Sequence, residues 1–183
     1  YKVEVIEGLS VTGIEREEKL KILTDKGNLF ARTIVIATGA KWRLIGIPGE
    51  IEFRNKGVAY CTHCDGPLFR GKKVTVIGGG NSGIEAAIDL ASIAREVLVL
   101  EFLPELKADK LLQDKLREFK NVKIVTNAET QALSGEKFLE KITYKDRVSG
   151  QVIEEATDGC FIQVRLVPMT EWLDLVEKNP RGE

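Results

Sequence analysis

The chain has 183 residues, of which 43% are hydrophobic and 30% charged, and this balance is typical of a folded globular protein. Its 27 Lys and Arg residues against 28 Asp and Glu residues leave a formal net charge of −1, without the basic excess of proteins that bind nucleic acid or anionic membranes. At about 150 residues per domain, the length fits one domain and part of another.

Two further features exclude other classes. No apolar stretch approaches the ~20 residues of a membrane span, and the N-terminus lacks the basic and apolar regions of a signal peptide. Three cysteines are too few for a secreted disulfide framework. We therefore expect a cytoplasmic redox protein that contacts neither membrane nor nucleic acid.

Short strands separated by turns indicate an antiparallel β-meander at the start of the chain. The predicted strands are Lys2 to Ile6, Leu9 to Ile14, Leu20 to Thr24 and Leu29 to Arg32, with a hairpin turn at residues 25–28. Thr33 to Ala37 is a continuous apolar run, which predicts a parallel strand buried on both faces. Lys41 to Gly57 is predicted as a linker with a turn at Pro48-Gly49.

From Lys73 the pattern changes to strands alternating with helices, which predicts a parallel sheet. In chain order we expect a strand at Val74 to Ile77, a glycine turn, a helix whose buried face carries Ile84, Ala87, Ile88 and Ala91, a strand at Val97 to Leu100, a helix at Asp109 to Phe119 and a strand at Val122 to Thr126. Antiparallel strands are predicted at Leu139 to Tyr144, Gln151 to Glu154 and Phe161 to Val164, with a hairpin turn at residues 148–150. The fold class is α/β, a Rossmann-like three-layer nucleotide domain with a parallel sheet and an antiparallel meander.

The glycine turn fits the pattern G-x-G-x-x-G that binds dinucleotides. It consists of Gly78, Gly79, Gly80, Asn81, Ser82 and Gly83. The first glycine of the pattern permits a tight turn, the second lets the backbone approach a pyrophosphate, and the third lets the helix pack on the strand, while the helix N-terminus favours the anion. A glycine-rich turn without a ligand is the alternative.

Glu101 ends the strand after this helix, at the position from which an acidic residue accepts hydrogen bonds from the adenosine ribose. A carboxylate there would repel a 2′-phosphate, and the first cation downstream is Lys107. The sequence therefore favours NADH over NADPH. The alternative is a solvated glutamate without a ligand.

Cys61-Thr62-His63-Cys64 is either a redox dithiol or half of a zinc site. Only Cys160 is left as a further cysteine and there is no second histidine, so too few ligands remain for a closed zinc site, and no metal is expected. His63 can lower a thiolate pKa or be a bystander. Asp65 is placed either for proton transfer during thiol exchange or as an N-cap.

The dithiol and the nucleotide turn are so close in sequence that both belong to one domain. Thiols do not accept a hydride directly, so an intermediary is needed, and a flavin is the usual one.

These residues resemble the thioredoxin-reductase-like flavoprotein disulfide reductases, and among them the flavoprotein subunits of bacterial alkyl hydroperoxide reductases. The matching stretches are Ala37 to Trp42, Gly57 to Phe69, Val76 to Leu90, Leu100 to Phe102 and Lys107 to Asp109. In this family the dithiol lies inside the nicotinamide domain, which is itself inserted into a flavin domain.

The resemblance implies a role for each site residue. Cys64 would face the flavin, Cys61 would exchange with the acceptor disulfide, and Asp65 would be the acid–base partner. Thr38 and Gly39 would belong to the flavin side. The glycine turn with Glu101 would hold NADH.

The resemblance also implies a division into domains, and this sequence departs from the family's pattern at several points. Residues 1–41 and 168–183 would be remnants of a split FAD domain around a nicotinamide domain at 42–167, with hinges near Lys41 to Arg43 and Val167 to Met169. The family's own flavin-binding G-x-G-x-x-G and its flavin-contacting Gly-Asp stretch are absent, so we expect this chain to retain no FAD and to be inactive alone. Arg165 stands where the family usually has glycine, which places docking of a nucleotide or flavin there in question.

The expected function of the intact protein is that of an FAD-dependent NADH:disulfide oxidoreductase. It would pass electrons from NADH through FAD to the Cys61–Cys64 disulfide, and on to a thioredoxin-like domain or a peroxiredoxin. We expect a homodimer when intact. The alternative is an isolated NAD-binding module without turnover.

Overall fold

The computed structural model describes residues 3–179, which form two compact units. One unit combines the residues up to Trp42 with those from Leu166 onward, and the other spans Arg43–Arg165. The strands are β1 (Val11–Arg16), β2 (Leu20–Thr24), β3 (Gly27–Ala31), β4 (Ala40–Trp42), β5 (Val58–Ala59), β6 (Lys73–Ile77), β7 (Glu96–Leu100), β8 (Val122–Val125), β9 (Ala128–Ser134), β10 (Lys141–Asp146), β11 (Val152–Ala156), β12 (Gly159–Ile162) and β13 (Leu166–Pro168). The helices are α1 (Thr62–Asp65), α2 (Asn81–Ala91) and α3 (Lys110–Arg117), and a 3-10 turn (Gly66–Phe69) follows α1.

The smaller unit contains an antiparallel sheet in the order β1-β2-β3 and a separate antiparallel pair, β4 with β13. The meander predicted for this part of the chain is confirmed from β1 onward, with its strand limits displaced by up to two residues. Lys2 lies outside the described residues, and Val3 to Ile6 form no strand.

Thr33 to Ala37 is not the buried strand that its apolar run predicts. The segment is irregular, and Val35 is 92% exposed. Among the described residues no strand pairs with it, and a strand buried on both faces needs hydrogen-bonded neighbours and a covering layer. An apolar run shows only that a segment is suited to such a position.

The larger unit is built on a five-stranded sheet in the order β5-β12-β6-β7-β8, with every pair parallel. The predicted three-stranded parallel arrangement of β6, β7 and β8 is confirmed. The prediction for Phe161 to Val164 was wrong: β12 is parallel, with Phe161 opposite Val76 of β6. β9, which the sequence analysis missed, pairs with β10, and β10 pairs with β11, in an antiparallel sheet of three strands.

Two apolar clusters cover the two faces of this parallel sheet. On one face α2 and α3 pack on it, and the predicted helix face is buried, since Ile84 and Ala87 are fully enclosed. On the other face the antiparallel sheet and residues 45–53 supply the cluster around Ile142, Tyr144 and Cys160. The layers are therefore helices, parallel sheet and antiparallel sheet.

Within residues 3–179 no helix has both the length and the apolar composition needed to cross a membrane.

Candidate functional site

The glycine turn leaves the carboxyl end of β6 and is held on both sides by backbone hydrogen bonds. The Gly78 amide donates to the carbonyl of Leu100 at 2.9 Å. The Gly79 carbonyl accepts from the amides of Lys107 and Ala108 at 2.9 and 3.0 Å. The turn is thus fixed to β7 and to the segment that leads into α3.

The glycines of the turn differ in the space that surrounds them. A Cβ at Gly83 would lie on the Gly78 carbonyl, so only glycine lets α2 begin this close to β6. A Cβ at Gly79 would come within 2.6 Å of Glu101 Oε2. At Gly80, by contrast, a Cβ would meet nothing within 4 Å, so the backbone there borders open space.

Glu101 lies under this turn rather than on the surface, because it is only 8% exposed. One carboxylate oxygen accepts from the Gly79 amide, and the other accepts from the Leu103 amide at 2.8 Å. A carboxylate can accept about four hydrogen bonds, and the described residues supply two. Glu101 therefore supports the turn and keeps capacity to accept further hydrogen bonds.

The other two predicted members of the turn, Asn81 and Ser82, are exposed. The Asn81 side-chain amide donates to Asp109 Oδ2 at 2.8 Å, and the Asp109 backbone amide returns a bond to Asn81 Oδ1 at 2.8 Å. This reciprocal pair joins the first residue of α2 to the N-cap residue of α3.

A cleft of about 740 Å³ opens over the turn at the carboxyl edge of the parallel sheet. Its volume lies within the range of about 300–1,000 Å³ found for small-molecule sites. Its lining includes the three glycines Gly78, Gly79 and Gly80, the cations Arg43, Lys107 and Arg165, the acids Glu101 and Glu129, and Thr130 and Gln163.

Two observations show that the cleft fits a dinucleotide. The backbone at Gly80, at the N-terminus of α2, leaves the close approach that a pyrophosphate requires. The Thr130 hydroxyl is buried and has no hydrogen-bond partner among the described residues, so a polar ligand could supply one. The residues present therefore fit a pyridine nucleotide.

Cys61 and Cys64 form a disulfide between the N-cap and the third residue of α1, with their Cα atoms 5.3 Å apart. Cys61 is the N-cap of the helix, and its sulfur accepts from the Cys64 amide at 3.2 Å. Cys61 is half-buried and Cys64 exposed. The pair follows β5 directly, so it lies at the same sheet edge as the glycine turn.

The two polar neighbours of the disulfide are placed differently from each other. His63 is 87% exposed in its side chain and points to Asp89 on α2, with Nε2 3.6 Å from Oδ2. Asp65 is half-buried and occupies the N-cap position of the 3-10 turn that follows it, but its side chain makes no capping hydrogen bond there.

The third cysteine, Cys160, is fully buried in β12 as a free thiol. Burial raises its pKa far above the usual range, because the thiolate would lose its solvation. No group of three or more His, Cys, Asp and Glu side chains that could hold a metal occurs within residues 3–179.

A buried hydrogen-bonded group beside the disulfide was not found from the sequence. The Tyr60 hydroxyl donates to Glu50 Oε1 at 2.8 Å, and the Tyr60 carbonyl accepts from Gln163 Nε2 at 2.8 Å. Glu50 also accepts from the amides of Ile45 and Gly46. Burial, and then the bond to Glu50, raise the pKa of Tyr60. The only local signal was a carboxylate just after Pro48-Gly49, in a segment that resembled a linker.

Thr38 and Gly39 belong to the other unit, and both are exposed. Gly39 has a φ of 68°, and its carbonyl accepts from the Met169 amide at 3.0 Å. Neither residue is among the lining of the nucleotide cleft, which belongs to Arg43–Arg165.

Arg165 has a φ of 54°, the left-handed conformation that favours glycine. Its carbonyl accepts from the Arg43 amide at 3.4 Å. The residue therefore keeps the backbone shape expected of a glycine while it adds a cation to the lining of the cleft.

The structure thus combines a Rossmann-type parallel sheet with a glycine turn and a Cys-x-x-Cys disulfide at the same edge. The profile of the pyridine nucleotide-disulphide oxidoreductases matches residues 1–183, and the chain belongs to this family.

Two curated relatives show which proteins the sequence is similar to. An NADH dehydrogenase of Bacillus subtilis (strain 168) is 49% identical over 185 residues, covering 100% of this chain and 36% of that protein. An alkyl hydroperoxide reductase subunit of Escherichia coli (strain K12) is 56% identical over 157 residues, covering 85% of this chain and 30% of that protein. The chain thus spans about a third of the length of these relatives.

Two solved structures are similar in fold. T. acidophilum thioredoxin reductase superposes with a TM-score of 0.86 at 34% identity, covering 96% of this chain and 59% of that one. Lactococcus lactis thioredoxin reductase in its FR conformation gives a TM-score of 0.85 at 34% identity, covering 95% of this chain and 58% of that one.

Proposed function

We propose that this chain carries the pyridine-nucleotide site and the redox-active disulfide of an NADH:disulfide oxidoreductase. The observation that carries the proposal is the position of the Cys61–Cys64 disulfide and the glycine-turn cleft at one edge of one sheet. The similarity to an alkyl hydroperoxide reductase component and to thioredoxin reductases supports it.

The electron route extends beyond this chain's own residues. Thiols do not accept a hydride directly, so we propose that the whole protein uses FAD, which supplies the conversion of a hydride into two electrons for a disulfide. Residues 1–41 and 168–183 would then belong to the flavin domain, with Thr38 and Gly39 on its side. As the resemblance implies, the whole protein would be a cytoplasmic homodimer.

The dithiol would pass its electrons by thiol–disulfide exchange. Cys61 as thiolate attacks an acceptor disulfide and releases one acceptor thiol, and Cys64 then attacks the mixed disulfide and releases the second. The acceptor gains two electrons and two protons, and the Cys61–Cys64 bond re-forms. The acceptor would be a thioredoxin-like domain or a peroxiredoxin, and Asp65 would carry the proton.

The roles of the two cysteines can be separated by experiment. Cys64 is the more exposed in the disulfide, so the assignment of Cys61 to exchange rests on the family resemblance. If Cys61 exchanges, the Cys64→Ser variant should accumulate a mixed disulfide with a model disulfide and the Cys61→Ser variant should not. Intact mass measurement distinguishes the two results, and the opposite pattern would reverse the assignment.

Glu101 gives the test of the nucleotide. We expect the chain to bind NADH more tightly than NADPH, because a 2′-phosphate would meet the Glu101 carboxylate. Glu101→Arg should narrow or invert this preference, although it also removes two hydrogen bonds from the turn. Titration of each protein with NADH and with NADPH, followed by nicotinamide fluorescence, measures the affinities.

Glu118→Arg, at the exposed residue that follows α3, is the matched control and should keep the wild-type preference. Equal affinities of the unmodified chain for both nucleotides would remove Glu101 from the proposal. NADH binding without flavin absorbance or disulfide turnover would favour an isolated nucleotide-binding module for this chain by itself.

A further inference from the structure

Tyr60, the residue that precedes Cys61, is held at both of its polar ends. Its carbonyl accepts from Gln163 Nε2 at 2.8 Å, and its hydroxyl donates to Glu50 Oε1 at 2.8 Å. Tyr60 is 6% exposed and Glu50 is 1% exposed. The Tyr60–Glu50 bond is therefore shielded from water and is not readily exchanged for a bond to solvent, while the bond from Gln163 is partly buried.

Gln163 lines the nucleotide cleft itself, and Glu50 is hydrogen-bonded to Ile45, which lines it. Gln163 lines the cleft at the end of β12, and its own amide donates to Ile77, the last residue of β6, at 2.8 Å. Its carbonyl lies against the glycine turn, since a Cβ at Gly78 would come within 2.5 Å of it.

The second wall is connected through Glu50. Its carboxylate accepts from Gly46 at 2.7 Å and from Ile45 at 3.1 and 3.2 Å, and Ile45 lines the cleft. Side-chain hydrogen bonds thus connect Tyr60 to both walls of the cleft, and Tyr60 directly precedes Cys61 of the disulfide. We call Glu50, Tyr60 and Gln163 the Tyr60 link.

We propose that Gln163 and Glu50 are positioning residues that couple the nucleotide cleft to the Cys61–Cys64 centre through Tyr60, so that nucleotide affinity depends on the redox state of the cysteines. The inference rests on the proposed function, because it takes the ligand of the cleft to be a pyridine nucleotide.

The direction of the coupling follows from the redox state of the cysteines in which Tyr60 makes both hydrogen bonds. The structure holds the disulfide together with both Tyr60 hydrogen bonds. Reduction adds two electrons and two protons, breaks the sulfur–sulfur bond and lets Cys61 move, and Cys61 is bonded directly to the Tyr60 carbonyl. A nucleotide that needs the intact walls therefore binds the disulfide form more tightly.

The experiment uses NAD⁺, which fits the same cleft and has no hydride to donate. The midpoint potential of the cysteine pair is measured in glutathione redox buffers, by alkylation and intact mass, with and without saturating NAD⁺. We expect NAD⁺ to bind the disulfide form about fivefold more tightly, which lowers the midpoint potential by about 20 mV. By reciprocity, chain reduced with dithiothreitol should bind NAD⁺ about fivefold more weakly.

Variants of the link distinguish coupling from general packing. Tyr60→Phe removes the bond to Glu50, which keeps its backbone partners, and Gln163→Leu removes the bond to the carbonyl. Each should reduce the NAD⁺-dependent shift of the potential by half or more. Gln151→Leu, at an exposed glutamine before β11, is the matched control and should keep the full shift. If Gln163→Leu does not fold, Tyr60→Phe decides alone.

The outcomes separate the two proposals. NAD⁺ binding without any change of the midpoint potential would overturn the coupling and leave the proposed function intact. A wild-type shift in Tyr60→Phe would also overturn it. If neither redox form binds NAD⁺, the proposed function fails, and the coupling fails with it.

Discussion

Arg165 has a long side chain on a backbone conformation that favours glycine. Its φ of 54° costs a residue with a Cβ about 1–3 kcal/mol. We expect Arg165→Gly to raise the free energy of unfolding by about 0.5–1 kcal/mol, because the relief of strain exceeds the added freedom of the unfolded chain. Arg165→Ala keeps the strain and should not stabilise the protein. Urea denaturation measures both variants, and equal effects would show that the conformation is not strained.

Cys160 makes stability depend on pH in the alkaline range. Its pKa is raised above the ordinary value of 9.0 in the folded protein, so the unfolded chain loses this proton first. The contribution is therefore complete below pH 9 and is lost as the pH rises further. Between pH 9 and 10 the wild type should lose about 1 kcal/mol more than Cys160→Ala, since the unfolded thiol is already half ionised at pH 9.

Denaturation curves at a series of pH values test this expectation. A wild-type pH profile parallel to that of Cys160→Ala would contradict it. Tyr60, whose pKa is also raised, adds a loss of the same sign above pH 10 in both proteins, so it cancels in the comparison.

At the scale of elements, substitutions at two glycines of the turn should affect different properties, stability at Gly83 and nucleotide affinity at Gly80. Gly83→Ala should lower the free energy of unfolding by about 3 kcal/mol, since its Cβ would strike the Gly78 carbonyl. Gly80→Ala meets no atom within 4 Å, so its stability should stay within about 1 kcal/mol of wild type. NADH affinity of Gly80→Ala should nevertheless fall about tenfold or more, because the methyl group projects where the pyrophosphate would lie.

Thermal unfolding and nucleotide titration of the two variants provide the test. Gly80→Ala with normal affinity would show that no phosphate approaches this backbone. A stable Gly83→Ala variant would show that α2 can shift away from β6 at little cost.

Local patterns identified the elements that carry their own periodicity. The spacing of Ile84, Ala87 and Ile88 predicted the buried face of α2 correctly, since a helix face depends on residues three and four apart. The prediction of a buried strand at Thr33 to Ala37 was wrong, because whether a strand is covered on both faces depends on other segments of the chain. The prediction that β12 is antiparallel was wrong for a related reason: its direction is set by β6, in which Val76 lies opposite Phe161 although the two are far apart in the chain.

At the scale of the whole molecule, the same distinction applies to the site. The cysteine pair and the glycine turn were found because each is a short motif with its own chemistry. The Tyr60 link was not found, because Gln163 and Tyr60 are 103 residues apart and neither belongs to a motif. Only the order of the strands brings their ends together.

That order also has a consequence for biosynthesis. β12 lies between β5 and β6, yet it is the last strand of its unit to leave the ribosome. Until then the nascent chain carries Cys61 and Cys64 without their neighbouring strand, and such long-range pairing is slow. The third thiol arrives within β12 itself and is buried as that strand pairs with Val58. The event that completes the support of the dithiol therefore also buries Cys160 and keeps it from pairing with Cys61 or Cys64.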